Sequence, residues 1–167
     1  MEKGDLRMEA LRNFFASESE TAPKIMLAYL FGSRAEGRER AESDWDFGVV
    51  SDSAMSYERR FELEREARRL LDGAEVQIVP MHSAPIELRF RVVATGLLLY
   101  ERSIEERVEW EANTMSRYYD ALPELRRWRE ELIEGGNADA AVRRYRESAG
   151  KARRLRESTR SASDRFA

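Results

Sequence analysis

The chain has 167 residues, 42% of them hydrophobic and 37% charged, with a net charge of −3; this supports one compact domain with a helical appendage, and the charge content lies well above the ~25% usual in soluble proteins. The absence of cysteine and the single histidine, His82, exclude disulfides and cysteine-based metal sites and argue against histidine-cluster zinc centres and a Ser-His-Asp triad. No apolar run approaches the ~20 residues of a membrane span, the charged start lacks the apolar stretch of a signal peptide, and the acidic balance argues against general nucleic-acid affinity, so a cytoplasmic protein is expected.

Along the chain, Leu6, Ala10, Leu11, Phe14 and Phe15 recur at helical spacing and predict an amphipathic N-terminal helix. Ile25 to Phe31 (IMLAYLF) is a short apolar run suited to a buried strand, and it stops at Gly32-Ser33. Arg34 to Ser43 is polar, contains Gly37, and suits a turn or short helix. Asp44 to Val50 alternates as a second strand does. Ser56 is a candidate cap for a helix reaching about Leu71, with Phe61, Ala67, Leu70 and Leu71 expected on its inner face, and Asp72-Gly73 ends it. Glu75 to Met81 (EVQIVPM) predicts a third strand, Ile86 to Thr95 a helix stopped by Gly96, and Leu97 to Tyr100 a short last strand.

From Ser103 the pattern changes. Ser103 and Glu106 form a capping box, and a long helix is expected to run to Glu134 with an irregularity at Pro123. Its apolar positions include Val108, Ala112, Met115, Tyr119, Leu122, Leu125, Trp128 and Leu132. Gly135-Gly136-Asn137 is a break, and Ala141, Val142, Tyr145, Ala149, Ala152 and Leu155 mark one stripe of a final helix. Residues 137–167 carry nine Lys/Arg against four Asp/Glu, a basic segment ending in a Ser- and Arg-rich stretch expected to be mobile. The expected division is residues 1–102 as the catalytic-type domain, 103–134 as a long helix on it, and 135–167 as a basic helix and tail.

The chemistry concentrates in two short stretches, Leu30-Phe31-Gly32-Ser33 and Ser43-Asp44-Trp45-Asp46-Phe47. Side chains alternate along a strand, so Asp44 and Asp46 share one face while Trp45, Phe47 and Val49 share the other. Two carboxylates so placed repel each other without a counter-charge. A divalent cation resolves the conflict, and Mg²⁺ typically takes one or two carboxylates together with substrate phosphates. Gly32 lets a phosphate approach the backbone, Ser33 adds a hydroxyl, and a helix starting near Arg34 would aim free N–H groups at it. Arg34, Arg38 and Arg40 are either phosphate-steering groups or exposed charges. His82 reads as a surface-loop residue or a neighbour of the site. Tyr118 and Tyr119 read as packing residues or partner contacts.

The stretch LFGSRAEGRERAESDWDFGVV resembles the core motif of the nucleotidyltransferase superfamily: Gly-Ser, a ten-residue gap, then Asp-x-Asp. More narrowly it is similar to the minimal nucleotidyltransferases, and the likeness extends through APIELRFRVVATGLLLYE, covering about residues 1–107. The resemblance implies an α/β (α+β) fold, a nucleotidyltransferase-type mixed sheet with flanking helices followed by a long C-terminal helical extension. It implies that Asp44 and Asp46 bind Mg²⁺ and act in catalysis, and that Gly32 and Ser33 hold the phosphates of ATP. It implies, for members paired with a HEPN-domain ribonuclease, an antitoxin role, in some members by transfer of AMP to a tyrosine of the toxin.

One position departs from the family. Active members carry a third carboxylate on the next strand, and here Gln77 stands at that place in Val76-Gln77-Ile78-Val79. An amide takes no proton from an attacking hydroxyl, and general-base help is typically worth 10²–10⁴-fold. Glu75 substitutes only if a bulge or register shift brings it level with the aspartates. Three functions are therefore set against each other: an AMP-transferring antitoxin, a degenerate relative that inhibits its toxin by binding alone, and a small-molecule (aminoglycoside-like) nucleotidyltransferase. The last calls for an acidic acceptor pocket that the sequence does not supply. The basic C-terminal segment suits docking on protein better than on RNA, and its stripe suits assembly with the toxin or with itself.

Overall fold

The computed structural model describes residues 3–38 and 43–135. Its elements follow the predicted order: α1 (Lys3–Glu18), β1 (Ile25–Phe31), β2 (Trp45–Ser51), α2 (Tyr57–Leu70), β3 (Val76–Pro80), α3 (Ile86–Thr95), β4 (Leu97–Glu101) and α4 (Ile104–Gly135). The four strands form one mixed sheet in the order β3-β2-β1-β4, with β2 and β3 parallel and the other pairs antiparallel. The chain divides into two compact units, Met1–Tyr118 and Tyr119–Ala167. The first holds the whole sheet. The described part of the second is the later portion of α4, which continues helically through Pro123. The final helix, the basic tail and Arg40 lie outside the described residues.

Strand alternation divides the core into two layers. On one face Trp45, Phe47 and Val49 of β2 and Val76 and Ile78 of β3 pack against Leu11, Phe14 and Phe15 of α1 and Leu63 and Ala67 of α2. Phe15 and Phe47 are fully buried and meet edge-to-face with ring centroids 5.3 Å apart. On the other face Leu27, Tyr29 and Phe31 of β1 and Val50 of β2 pack with Met81, Ala84 and Val92. Gly48 belongs to this second layer, because a Cβ there would lie 3.2 Å from Met81 and Val92 atoms.

The Ser56 cap forms, with Arg59 N–H donating to Ser56 Oγ at 3.2 Å; at Ser103 half of the expected box forms, Glu106 N–H donating to Ser103 Oγ at 3.2 Å while the Glu106 carboxylate accepts from Arg102. Two stripe assignments change. On α2, Phe61 is 54% exposed and Leu70 42% exposed, while Leu63, absent from the expected inner face, is buried. Phe61 stands two residues from Leu63, roughly 200° around the helix, and so points outward. Leu70 lies in the last turn, where Leu71 takes the buried place. On α4, Val108, Met115 and Tyr119 are exposed. The inward side of its first turns joins Trp110, packed on the second core layer, to a polar seam: Tyr29 donates to Glu111 at 2.8 Å, and Arg107 joins Glu101 at 2.5 Å to Glu111 at 3.4 Å. A period count reads apolar residues as buried and could not anticipate an ionic seam in their place. Burial first, and the bond to Glu111 second, push the Tyr29 hydroxyl well above the ordinary tyrosine range, so it stays a donor.

Much of the outer edge of β3 is covered by its neighbours. Its inward groups pair with β2, leaving the alternate residues facing outward. Ile78 N–H donates to Glu64 Oε1 at 3.0 Å, Val76 carbonyl accepts from Arg68 at 3.5 Å, and Pro80 has no N–H while its carbonyl accepts from Ser83. Glu64→Ala leaves the Ile78 N–H without that partner and is expected to cost about 1–3 kcal/mol in urea unfolding, whereas Glu64→Gln, which keeps an acceptor oxygen, loses much less.

Candidate functional site

The candidate site lies where β1 ends and β2 and β3 begin. Registration aligns three strands there: Phe31 opposite Asp46, and Asp46 opposite Gln77. Residues in register on neighbouring strands share a face, so Asp46 stands beside Gln77 on the α3 side of the sheet. Asp44 precedes β2 and is exposed, whereas Asp46 is partly buried. The aromatic partners of the motif, Trp45 and Phe47, point the other way into the core.

Gly32 is fixed by two constraints at once. Its φ is +75°, a region most L residues avoid, and a Cβ there would lie 2.6 Å from the Asp46 Oδ2. The backbone of the Gly-Ser turn therefore rests against the Asp46 carboxylate, as a site holding phosphate and metal together requires. Residues 32–37 form consecutive turns rather than the helix start anticipated near Arg34. Glu36 N–H donates to the Gly32 carbonyl at 3.2 Å and Arg38 N–H to the Ser33 carbonyl at 2.9 Å. The amides of Ser33, Arg34 and Ala35 lie inside the first of these turns and are not consumed by it. A turn thus stands where a helix N-terminus was expected.

Electrostatics singles out Asp46. Its carboxyl is held above the ordinary aspartate range, first by burial and then by the charge of Asp44, and no cation among the described residues counters either effect. Two anionic groups at the mouth of a glycine turn fit a hard divalent cation such as Mg²⁺. Among the described residues no cluster of three or more His, Asp or Glu side chains exists that could form a complete protein cage. Such a cation would draw its remaining ligands from phosphate oxygens and water.

The other expected residues fall as follows. The β2–β3 register runs without a shift from Trp45–Val76 to Val49–Pro80, so no bulge moves Glu75 level with Asp46. Glu75 is exposed and its carboxylate pairs with Arg68 at 2.9 Å. Arg38 is exposed and paired with Glu36. Arg34 turns back across the loop to Ser43 and Trp45. His82 lies at the opposite end of β2, its Nε2 2.7 Å from the Ser51 carbonyl oxygen. Tyr118 stacks on Phe90 with centroids 3.9 Å apart, and Tyr119 is 60% exposed. The contact between Gly32 and the Asp46 carboxylate and the inward turn of Arg34 were not anticipated from the sequence. The only signal for either was the glycine itself.

With this geometry in place, a family model described as Polymerase beta, Nucleotidyltransferase matches residues 10–105. The protein adenylyltransferase MntA of Shewanella oneidensis is 28% identical over 127 residues, spanning 76% of this chain and 87% of the relative. A crystal structure of a toxin-antitoxin with AMP-PNP superimposes with a TM-score of 0.65 at 26% identity, covering 73% of this chain and 98% of that one. A tri-AMPylated Shewanella oneidensis HEPN toxin in complex with MNT antitoxin gives a TM-score of 0.62 at 24% identity, over 75% of this chain and 98% of the other, a likeness of fold.

The raised Asp46 value gives a pH dependence of definite sign. The folded protein binds this proton more readily than the unfolded chain, so stability falls as pH rises from the ordinary aspartate range through the raised folded value. Asp46→Asn is therefore expected to raise the Tm of the metal-free protein near neutral pH, with the gain shrinking as the buffer is acidified. Differential scanning calorimetry across pH, in chelator, checks this.

Proposed function

The chain belongs to the Polymerase beta nucleotidyltransferase family, and on that premise we propose that it is an antitoxin of the minimal nucleotidyltransferase type, which binds ATP with Mg²⁺ and neutralises a HEPN ribonuclease toxin by transferring AMP to a toxin tyrosine. The observation that carries this reading is the uncompensated Asp44–Asp46 pair against the Gly32 turn. Support comes from the 28% identity to an adenylyltransferase and the 26% identity to a toxin-antitoxin holding an ATP analogue.

In this reading Asp44 and Asp46 would hold the metal, which would neutralise phosphate charge and lower the pKa of the incoming hydroxyl. Gly32 admits the phosphates to the backbone, and Ser33 and the turn amides donate to them. The tyrosine hydroxyl would lose its proton to water, since the Gln77 amide takes none; its oxygen would bond to the α-phosphorus as the bond from that phosphorus to the bridging oxygen breaks, and pyrophosphate would leave with that electron pair. Positioning and charge neutralisation supply most of the catalysis. The same reading divides the chain into a transferase-type domain (1–102), a long helix (103–134) and a basic C-terminal segment (135–167) that engages protein.

A second reading follows from one observation. Gln77 stands in register with Asp46, where a third carboxylate would act as base. The protein would then retain the nucleotide site and inhibit by binding alone. Small-molecule transfer, the third reading, gains nothing from the described residues.

Intact-mass analysis of a candidate HEPN-domain toxin, after incubation with the protein, ATP and Mg²⁺, separates these readings. AMP transfer gives a mass increase of one or more AMP units that Asp44→Asn/Asp46→Asn abolishes, and Gln77→Asp accelerates it by roughly 10²–10⁴-fold. An increase seen only with Gln77→Asp favours inhibition by binding. No increase in any sample, with no complex formed, rejects the antitoxin reading.

A further inference from the structure

We propose that Arg34 is a positioning residue whose guanidinium fixes Asp44 for metal binding; the proposal rests on the metal-nucleotide reading of the site. Asp44 lies outside β2, which begins at Trp45, and is exposed, so the sheet alone secures only its C-terminal side. On that side Trp45 N–H donates to the Glu75 carbonyl at 2.9 Å. Arg34, two residues beyond Gly32, reaches across the loop. Its Nε and Nη2 both donate to the Ser43 carbonyl, at 2.9 and 2.5 Å, and its Cζ lies 4.3 Å from the centroid of the Trp45 ring.

Ser43 and Trp45 are the two residues that flank Asp44. One planar cation thus holds the chain immediately before and immediately after the exposed carboxylate. The latch also ties the Gly-Ser turn to the start of β2, which carries Asp46 and is preceded directly by Asp44. Ordering Asp44 before the metal arrives removes part of the entropic cost of chelation. The geometry is specific to arginine. A guanidinium bonds through its fork while its face lies on an aromatic ring, whereas an ammonium is a strongly hydrated point charge that lacks this planar fork. It also differs from phosphate steering, since the fork of Arg34 already faces a protein carbonyl.

The test uses the full chain as wild type, Arg34→Ala, Arg34→Lys, Asp44→Asn and the double variant Arg34→Ala/Asp44→Asn. Mn²⁺ binding is followed by electron paramagnetic resonance with AMP-PNP present, and AMP-PNP binding by calorimetry with and without Mn²⁺. Amide hydrogen exchange over residues 43–46 is followed without metal or nucleotide. Arg34→Ala is expected to weaken Mn²⁺ binding roughly tenfold, a coupling of ordinary size for groups in one network, and to add less than about twofold once Asp44 is already Asn. Arg34→Lys restores little of the loss, metal-free AMP-PNP binding is unchanged, and exchange at 43–46 quickens. A purely structural residue would lower thermal stability without separating metal affinity from metal-free nucleotide affinity. Loss of nucleotide affinity that persists in the Asp44→Asn background and is rescued by Lys overturns the proposal in favour of a phosphate ligand. Unchanged Mn²⁺ binding and exchange overturn it outright. Should Arg34→Ala fail to fold, Arg34→Lys alone decides, and wild-type affinity in that variant overturns the latch. If the wild type itself binds no Mn²⁺–AMP-PNP, the metal-nucleotide reading falls and the proposed role falls with it, while the exchange comparison still reports whether Arg34 holds the loop.

Discussion

Two like charges at one end of a sheet set the terms for the rest of this structure. Strand alternation sends Trp45 and Phe47 into the α1–α2 core and leaves Asp46 on the other side, beside the charge of Asp44 just ahead of the strand and with no cation countering its burial. A glycine turn in front of the carboxylates brings the backbone to within a Cβ's width of Asp46. The sheet thus presents an unresolved charge, and the fold around it is arranged so that relief comes from outside the protein.

Much of this was legible from the residues. The apolar run before Gly32 and the alternation after Asp44 are local signals, and each marks a strand without reference to the remainder of the chain. The Ser56 and Ser103 caps are likewise local, since an oxygen three residues ahead of an amide defines them. What the sequence concealed depended on neighbours distant along the chain. Arg34 is identical in type to Arg38, yet one folds onto Trp45 and the other stays exposed, because the residue that separates their fates arrives eleven positions after Arg34. The exposure of Phe61, and of Val108 and Met115 on α4, had the same origin. Periodicity names a face, but which face meets the sheet is settled by partners such as Glu111 and Tyr29. The basic C-terminal segment, read as protein-docking, has no structural counterpart among the described residues.

Gln77 is the position on which chemistry and architecture diverge. Its register with Asp46 is uninterrupted, so the structure offers the geometry of a three-residue acidic centre with one member neutral. The amide avoids a third like charge in a site that already lacks compensation. Electrostatic ease and proton-transfer capacity are therefore opposed at this one side chain, and Glu75, engaged by Arg68, lies outside the exchange.

The covered edge of β3 has a consequence for how this protein can be recognised. With Ile78 N–H held by Glu64, Val76 carbonyl by Arg68 and Pro80 offering no donor, these groups leave an extended peptide little to pair with on that flank. β-augmentation is thereby disfavoured at the strand that carries Gln77, and so is the edge-to-edge stacking by which open sheets aggregate. A protein that docks beside Gln77 would meet side chains and a turn at these groups.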